Sequence, residues 1–179
     1  LLCRSREKAE ALQQEIVSVG GLQPDIIIMD MARLDSVREA GAALVALGKP
    51  LDVLLNNAGV VNMSRQETVD GFEETLAVNH FAPFLLTGLV MPLLLGTPGA
   101  RIVNVASDAH SFVKDMGFDD MQATRSYKTF REYGRSKLAN ILFTRRLAQQ
   151  LQGRGITVNC LHPGAVSTSL GTQNGGILS

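Results

Sequence analysis

The chain has 179 residues, a hydrophobic fraction of 45%, and lysine plus arginine equal to aspartate plus glutamate at 17 each. That length suits one domain with a real core, and the apolar fraction is ordinary for a soluble globular protein. The balanced charge gives nothing to draw the chain to nucleic acid or to an acidic membrane.

Apolar runs alternate with amphipathic stretches along the chain. The pattern predicts a strand over Leu1–Cys3, a helix over Ser5–Val19, a strand over Asp25–Met29 and a helix over Leu34–Leu47. A strand over Leu51–Leu55 precedes a long helix over Asp70–Leu95. A strand over Arg101–Ala106, a long connection from Ser107 to Phe130, a helix over Arg131–Gln152 and a strand over Gly155–Leu161 follow. Short apolar strands with little polar alternation imply burial on both faces, and alternation with helices implies right-handed crossovers and a parallel sheet. The connection after Ser107 is longer than most loops and carries charges and aromatics, which marks it as a candidate functional segment. Residues 1–170 read as one domain and the Gly-rich Gly171–Ser179 as a flexible tail.

Cys3 and Cys160 stand alone in apolar contexts and read as buried free thiols in a reducing, cytoplasmic setting. His80, His110 and His162 are scattered, so no metal site is expected. The longest apolar run, Phe81–Leu95, is interrupted by Pro83, Gly88 and Pro92. It is shorter than the roughly 20 residues a membrane span needs, and reads as a buried helix. The chain opens Leu1-Leu2-Cys3-Arg4, without Met and without a leader pattern, and is expected to be a fragment whose start lies upstream.

Tyr133-Gly134-Arg135-Ser136-Lys137 carries the sharpest chemical signal. Tyrosine and lysine four positions apart share a helix face. A phenol has an unperturbed pKa of about 10, and a fixed ammonium one turn away is expected to pull it down toward the working range of an acid or base. The same spacing also occurs on solvated helices. Ser107 closes the Arg101–Ala106 strand, where a serine can also serve to cap a turn. Asn56-Asn57-Ala58-Gly59 leaves another strand, and Gly59 would let backbone approach a ligand closely. Asn79 is a buried amide in an apolar helix pattern and needs partners of its own.

These pieces, in this order, resemble the short-chain dehydrogenase/reductase family over nearly the whole chain. The stretch from Phe118-Asp119-Asp120-Met121 through Tyr133 to Asn140 resembles its retinol-dehydrogenase-like branch. The resemblance implies an α/β fold, a Rossmann-type doubly wound parallel sheet. It is incomplete here: the family's first strand with its Gly-rich turn precedes the strand ending at Cys3, and the C-terminal part lies past Leu161. No Gly-x-Gly-x-x-Gly occurs in the chain. The loss of a central strand would leave the remaining strands facing one another across a gap.

The resemblance also implies an enzyme that interconverts an alcohol and a carbonyl on a lipophilic or small carbonyl substrate by hydride transfer. Tyr133 is then the acid/base, Lys137 its helper and a ribose ligand, Ser107 the holder of the substrate oxygen, and Asn79 the holder of a water linking Lys137 to solvent. Cofactor contacts are expected from Arg4, Asp30, Met31, Asn57, Ala58, Gly59, Tyr133 and Lys137, and from the Pro163-Gly164 turn with Thr168. No acid precedes Glu7, and Arg4 follows the strand where NAD-binding folds place one, so NADP(H) is expected over NAD(H). The complete protein is expected to form a homodimer or homotetramer. The alternative is a truncated or inactive protein of the same fold with a binding or scaffold role.

Overall fold

The structure is a computed structural model that describes residues 1–164. The expected tail 171–179 and Thr168 lie outside the described residues. Five strands, β1 (Leu2–Cys3), β2 (Ile27–Ile28), β3 (Val53–Asn56), β4 (Arg101–Val105) and β5 (Thr157–Leu161), alternate with helices. The longer helices are α1 (Arg6–Ser18), α2 (Leu34–Ala46) and α6 (Thr129–Gln150). The strands pair in parallel throughout, in two separate sheets among the described residues: β1 beside β2, and β3-β4-β5 with β4 central. This is the incomplete Rossmann arrangement, broken between β1 and β3.

Register stacks chemistry in rows on one face of the larger sheet. Leu54, Ile102 and Val158 stand side by side, and one step on, Asn56 and Asn104 are paired with Cys160 beside them. The apolar row is buried with Leu86, Val90 and Leu94 above it, and with Val37 of α2 and Leu147 of α6. In the asparagine row Asn104 is buried and Asn56 partly so, and their amides are bonded. Asn56 Nδ2 donates to Asn104 Oδ1 at 2.8 Å and to Thr87 Oγ1 at 3.2 Å. Asn104 Nδ2 donates to Thr144 Oγ1 at 2.8 Å. The ladder thus ties two strands to the helices that cover them.

Burial on both faces, expected from the apolar strands, holds for one face only. Val53, Leu55 and Leu161 alternate with the buried row and are 46%, 56% and 44% exposed. The physical reason is that α2, the 82–95 helices and α6 share one core cluster, whereas α1 packs on β1.

The predicted single helix over Asp70–Leu95 is instead a series. α3 (Glu74–Leu76) runs into a π-helical turn, Ala77–Phe81, and then α4 (Ala82–Leu89) and α5 (Met91–Leu95). Its start is set by Glu73, whose carboxylate accepts from Thr75 N at 2.8 Å and Leu76 N at 2.7 Å. Burial pushes the Glu73 carboxyl up, against those hydrogen bonds, and the charge of Glu132 adds to the rise. The irregularity has a cause in Pro83, which has no N–H to give to the Asn79 carbonyl four residues back. Asn140 Nδ2 donates to that carbonyl instead, at 2.9 Å. No helix among the described residues is long and apolar enough to cross a membrane.

Ile102→Ala, at the centre of the buried row, should cost about 2–5 kcal/mol in urea unfolding. Leu55→Ala on the open face should cost about 0.5 kcal/mol or less. Equal losses would contradict the one-sided core.

Candidate active site

Three elements converge at the C-terminal ends of β3 and β4. After β3 the chain turns at Asn57-Ala58-Gly59; after β4 it reaches Ala106 and Ser107; α6 passes both with Tyr133 and Lys137. A Cβ at Gly59 would lie 3.1 Å from Asn79 Oδ1, tight enough to push that amide by a few tenths of an ångström, and in ordinary contact with Lys137 Nζ at 3.5 Å. Lys137 is buried and donates to the Val105 carbonyl at 3.0 Å, holding the strand end that carries Ser107.

Asn79 is the knot of the site. Its Oδ1 accepts from Val60 N at 2.7 Å, and its Nδ2 donates to Val60 O and to Ser136 Oγ, each at 3.0 Å. Ser136 passes the bond on to the Tyr133 carbonyl at 2.7 Å. The side chain therefore braces the β3 exit against α6. Next to it, burial holds the His80 imidazole below its ordinary range, against a hydrogen bond with Asn140. Since Asn140 Nδ2 is given to Asn79 O, Asn140 Oδ1 accepts from His80 Nδ1, at 2.9 Å.

The segment that carries Ser107 is held against α6 because two backbones come very close. The 3₁₀ turn Asp108–Phe112 that follows Ser107 lies on α6 at Gly134. A Cβ at Gly134 would lie 2.4 Å from the Ala109 carbonyl oxygen. Ser107 Oγ accepts from Ala109 N at 3.2 Å and fixes the turn.

The ionisation of the pair differs from the sequence expectation. Burial pushes the Tyr133 phenol up, and a hydrogen bond with Ser107 only partly opposes this. Lys137 does not pull it down: its ammonium lies 5.5 Å from the Tyr133 ring centroid and bonds Val105 O. Loss of water lowers Lys137 itself from 10.5 to about 8. Near neutral pH the phenol is thus protonated, with a cation over its ring.

Five of the expected cofactor contacts come together. Arg4 at the end of β1, Asp30 and Met31 after β2, and Ala58 and Gly59 after β3 line one cavity of about 420 Å³. It opens where the two sheets part, outside the carboxyl ends of the strands, the place at which doubly wound folds bind ligands. Asp30 Oδ1 accepts from Ala32 N at 3.0 Å and shapes the turn there. Asn57 is exposed and does not line the cavity. Pro163 and Gly164 follow β5 on the surface, Gly164 with φ +81°. Sequence reading missed Asn140, Glu73 and Arg135. Only Glu73 had a local signal, an acid just before a helix start.

Fold and site together define a doubly wound parallel α/β protein with a cleft at the carboxyl ends of its strands. The chain matches the short chain dehydrogenase family over residues 1–175 and belongs to it. It is 44% identical to retinol dehydrogenase 14 of Mus musculus in an alignment that covers 94% of this chain and 54% of that one. The chain spans about half the length of the curated relatives it matches. An uncharacterised protein of Mycobacterium paratuberculosis superposes with a TM-score of 0.80 at 32% identity, over 94% of this chain and 59% of that one. A blue fluorescent protein from a metagenomic library, solved in complex with NADPH, gives 0.69 at 33% identity, over 92% of this chain and 62% of that one.

The Lys137 shift has a signed consequence. The folded protein holds this proton less tightly than the unfolded chain, so stability rises with pH between about 8 and 10.5. Measured against Lys137→Met by urea unfolding, the full-length protein should gain on the order of 3 kcal/mol across that window. A pH-independent difference would show that the ammonium is well solvated.

Proposed function

We propose that the full-length protein is an NADP(H)-dependent oxidoreductase that interconverts an alcohol and a carbonyl on a lipophilic substrate. The observation that carries this reading is the convergence of Tyr133 and Lys137 on one face of α6 with the Ser107 turn packed against Gly134 between them and with Lys137 beside the cavity at Gly59. The relatives named as retinol dehydrogenases support the substrate class, and the NADPH complex of a structural neighbour supports the cofactor. A nicotinamide dinucleotide, when bound, supplies or accepts the hydride.

The residues present fit such a group. Gly59 leaves room beside Lys137 that a side chain would fill, and Arg4 and Lys8 bring positive charge to the far part of the cavity. Arg4 suits a 2′-phosphate, and Asp30 and Met31 an adenine. Lys137 would hold ribose hydroxyls, and Pro163, Gly164 and Thr168 the carboxamide.

In the reducing direction Ser107 donates a hydrogen bond to the carbonyl oxygen, and Tyr133 gives that oxygen its proton as negative charge develops. Burial, which keeps the phenol protonated at neutral pH, suits it to act as the acid. The phenolate that remains has the Lys137 ammonium 5.5 Å from its ring centroid. In the oxidising direction the same phenolate takes the proton back. Asn79 keeps Gly59 and α6 in register throughout. Phe84 and Leu142, exposed on α4 and α6, would supply a pairing surface for a second copy.

The test is turnover of a long-chain or polyene aldehyde by the full-length protein with NADPH, followed by cofactor absorbance. Absence of NADPH binding would favour the scaffold alternative. Tyr133→Phe should lower kcat by about 10²–10⁴ and leave NADPH binding within about threefold; near-normal turnover would remove the phenol from the mechanism. Arg4→Asp should cut the NADPH over NADH preference in kcat/KM by at least about tenfold, and an unchanged ratio would show that Arg4 does not read the phosphate.

A further inference from the structure

The connection between Ser107 and α6 has little core of its own. Between residues 111 and 126 only Met116 and Ala123 are buried hydrophobics. It is held by polar anchors, and one buried arginine makes three of them. Arg135 is on the catalytic helix, between Tyr133 and Lys137, and its side chain is 7% exposed. Its Nε donates to Met116 O at 2.8 Å, Nη2 to Gly117 O at 2.8 Å, and Nη1 to Asp120 O at 3.1 Å. Nη1 also pairs with Glu132 Oε2 at 2.7 Å, and Glu132 is 3% exposed. The other Glu132 oxygen accepts from Arg131 Nε at 2.6 Å, and Arg131 Nη2 reaches the Ser126 carbonyl.

We propose that Arg135, held by Glu132, is a positioning residue that fixes the 113–126 segment as the substrate-facing wall of the site. This rests on the oxidoreductase reading above. The direction follows from the order of groups along α6. Gly59 and the 420 Å³ cavity are beside Lys137, whereas Tyr133 is one turn nearer the helix start, where the connection returns from Ser107. A substrate whose oxygen sits between Ser107 and Tyr133 therefore extends toward this segment. Arg131 and Arg135 also line a second cavity, of about 520 Å³, together with Val113, Gly117 and Arg125.

The opposite side of the segment is fastened to the chain that leads to Asn79. Gln122 O accepts from Arg65 Nε at 2.9 Å, and Gln122 Oε1 accepts from Glu73 N at 2.7 Å. Tyr127 Oη donates to Asn62 O at 2.9 Å. Ser107 and Tyr133 are held separately, by the Gly134–Ala109 approach and the Lys137–Val105 bond. Loosening the clamp should therefore weaken substrate binding more than the chemical step.

The experiment compares the full-length protein with Arg135→Lys and with the double variant Glu132→Gln/Arg135→Met. The double variant removes both buried charges at once and so avoids leaving one unpaired. Hydrogen exchange of amides in 113–126 should quicken by at least about tenfold, with β3–β5 unchanged. NADPH affinity should stay within about twofold, and substrate KM should rise by about tenfold or more while kcat changes less than about threefold. Arg135→Lys, which keeps the charge but lacks the planar fork, should fall between the two. Unchanged exchange in 113–126, a rise spread equally over the sheet, or a loss confined to kcat would each overturn the proposal. If the unaltered protein turns over no carbonyl at all, the oxidoreductase reading fails, and with it the clamp's role toward substrate. The exchange result would still decide whether Arg135 fixes the segment.

Discussion

A polar side chain inside a protein must find partners, and the need to satisfy the buried Asn79 amide organises this site. One side chain, 1% exposed, bonds the β3 exit at Val60 twice and α6 at Ser136 once. Its backbone carbonyl, left without a helical donor by Pro83, is met by Asn140. Three elements distant in sequence are thereby fixed against one another, and the Lys137 ammonium falls beside Gly59 as a result. Among the described residues no buried side-chain nitrogen or oxygen lacks a hydrogen-bond partner, so little slack remains in the arrangement.

The same economy explains how charges are tolerated under the surface. Lys137 is desolvated but donates to a carbonyl; Glu73 is desolvated but caps a helix; Glu132 and Arg135 neutralise each other and give their remaining capacity to backbone or to Arg131. A buried ion pair is poor value as a source of stability, because desolvation offsets the attraction. Here it orders a long connection that could not order itself by apolar burial.

Much of the site was legible in the sequence because its signals are local. Tyr133 and Lys137 share a helix face by spacing, Ser107 ends an apolar strand, and Arg4, Asp30, Met31, Ala58 and Gly59 all follow strands and so collect at one edge. The parallel sheet with its break was equally readable. What escaped depends on contacts across long stretches of chain. Arg135 bonds carbonyls 15 to 19 residues away and Asn140 one that is 61 away, and a carbonyl carries no mark in the sequence. The Tyr133 ionisation was misjudged for a related reason. Spacing says that two side chains share a face, but not that the lysine head turns to Val105 rather than to the phenol oxygen.

Gly134 sits in the interior of a 22-residue helix, where glycine is the poorest choice short of proline and costs about 1 kcal/mol against alanine. Alanine cannot take its place without moving backbone, because the contact at 2.4 Å is a carbonyl and not the end of a flexible side chain. Position 134 is therefore a point where selection for a stiffer helix and selection for the close packing of the Ser107 turn on α6 pull in opposite directions. Stabilising engineering that fills helices with alanine would be expected to gain stability at many sites on α6 and to stop at this one.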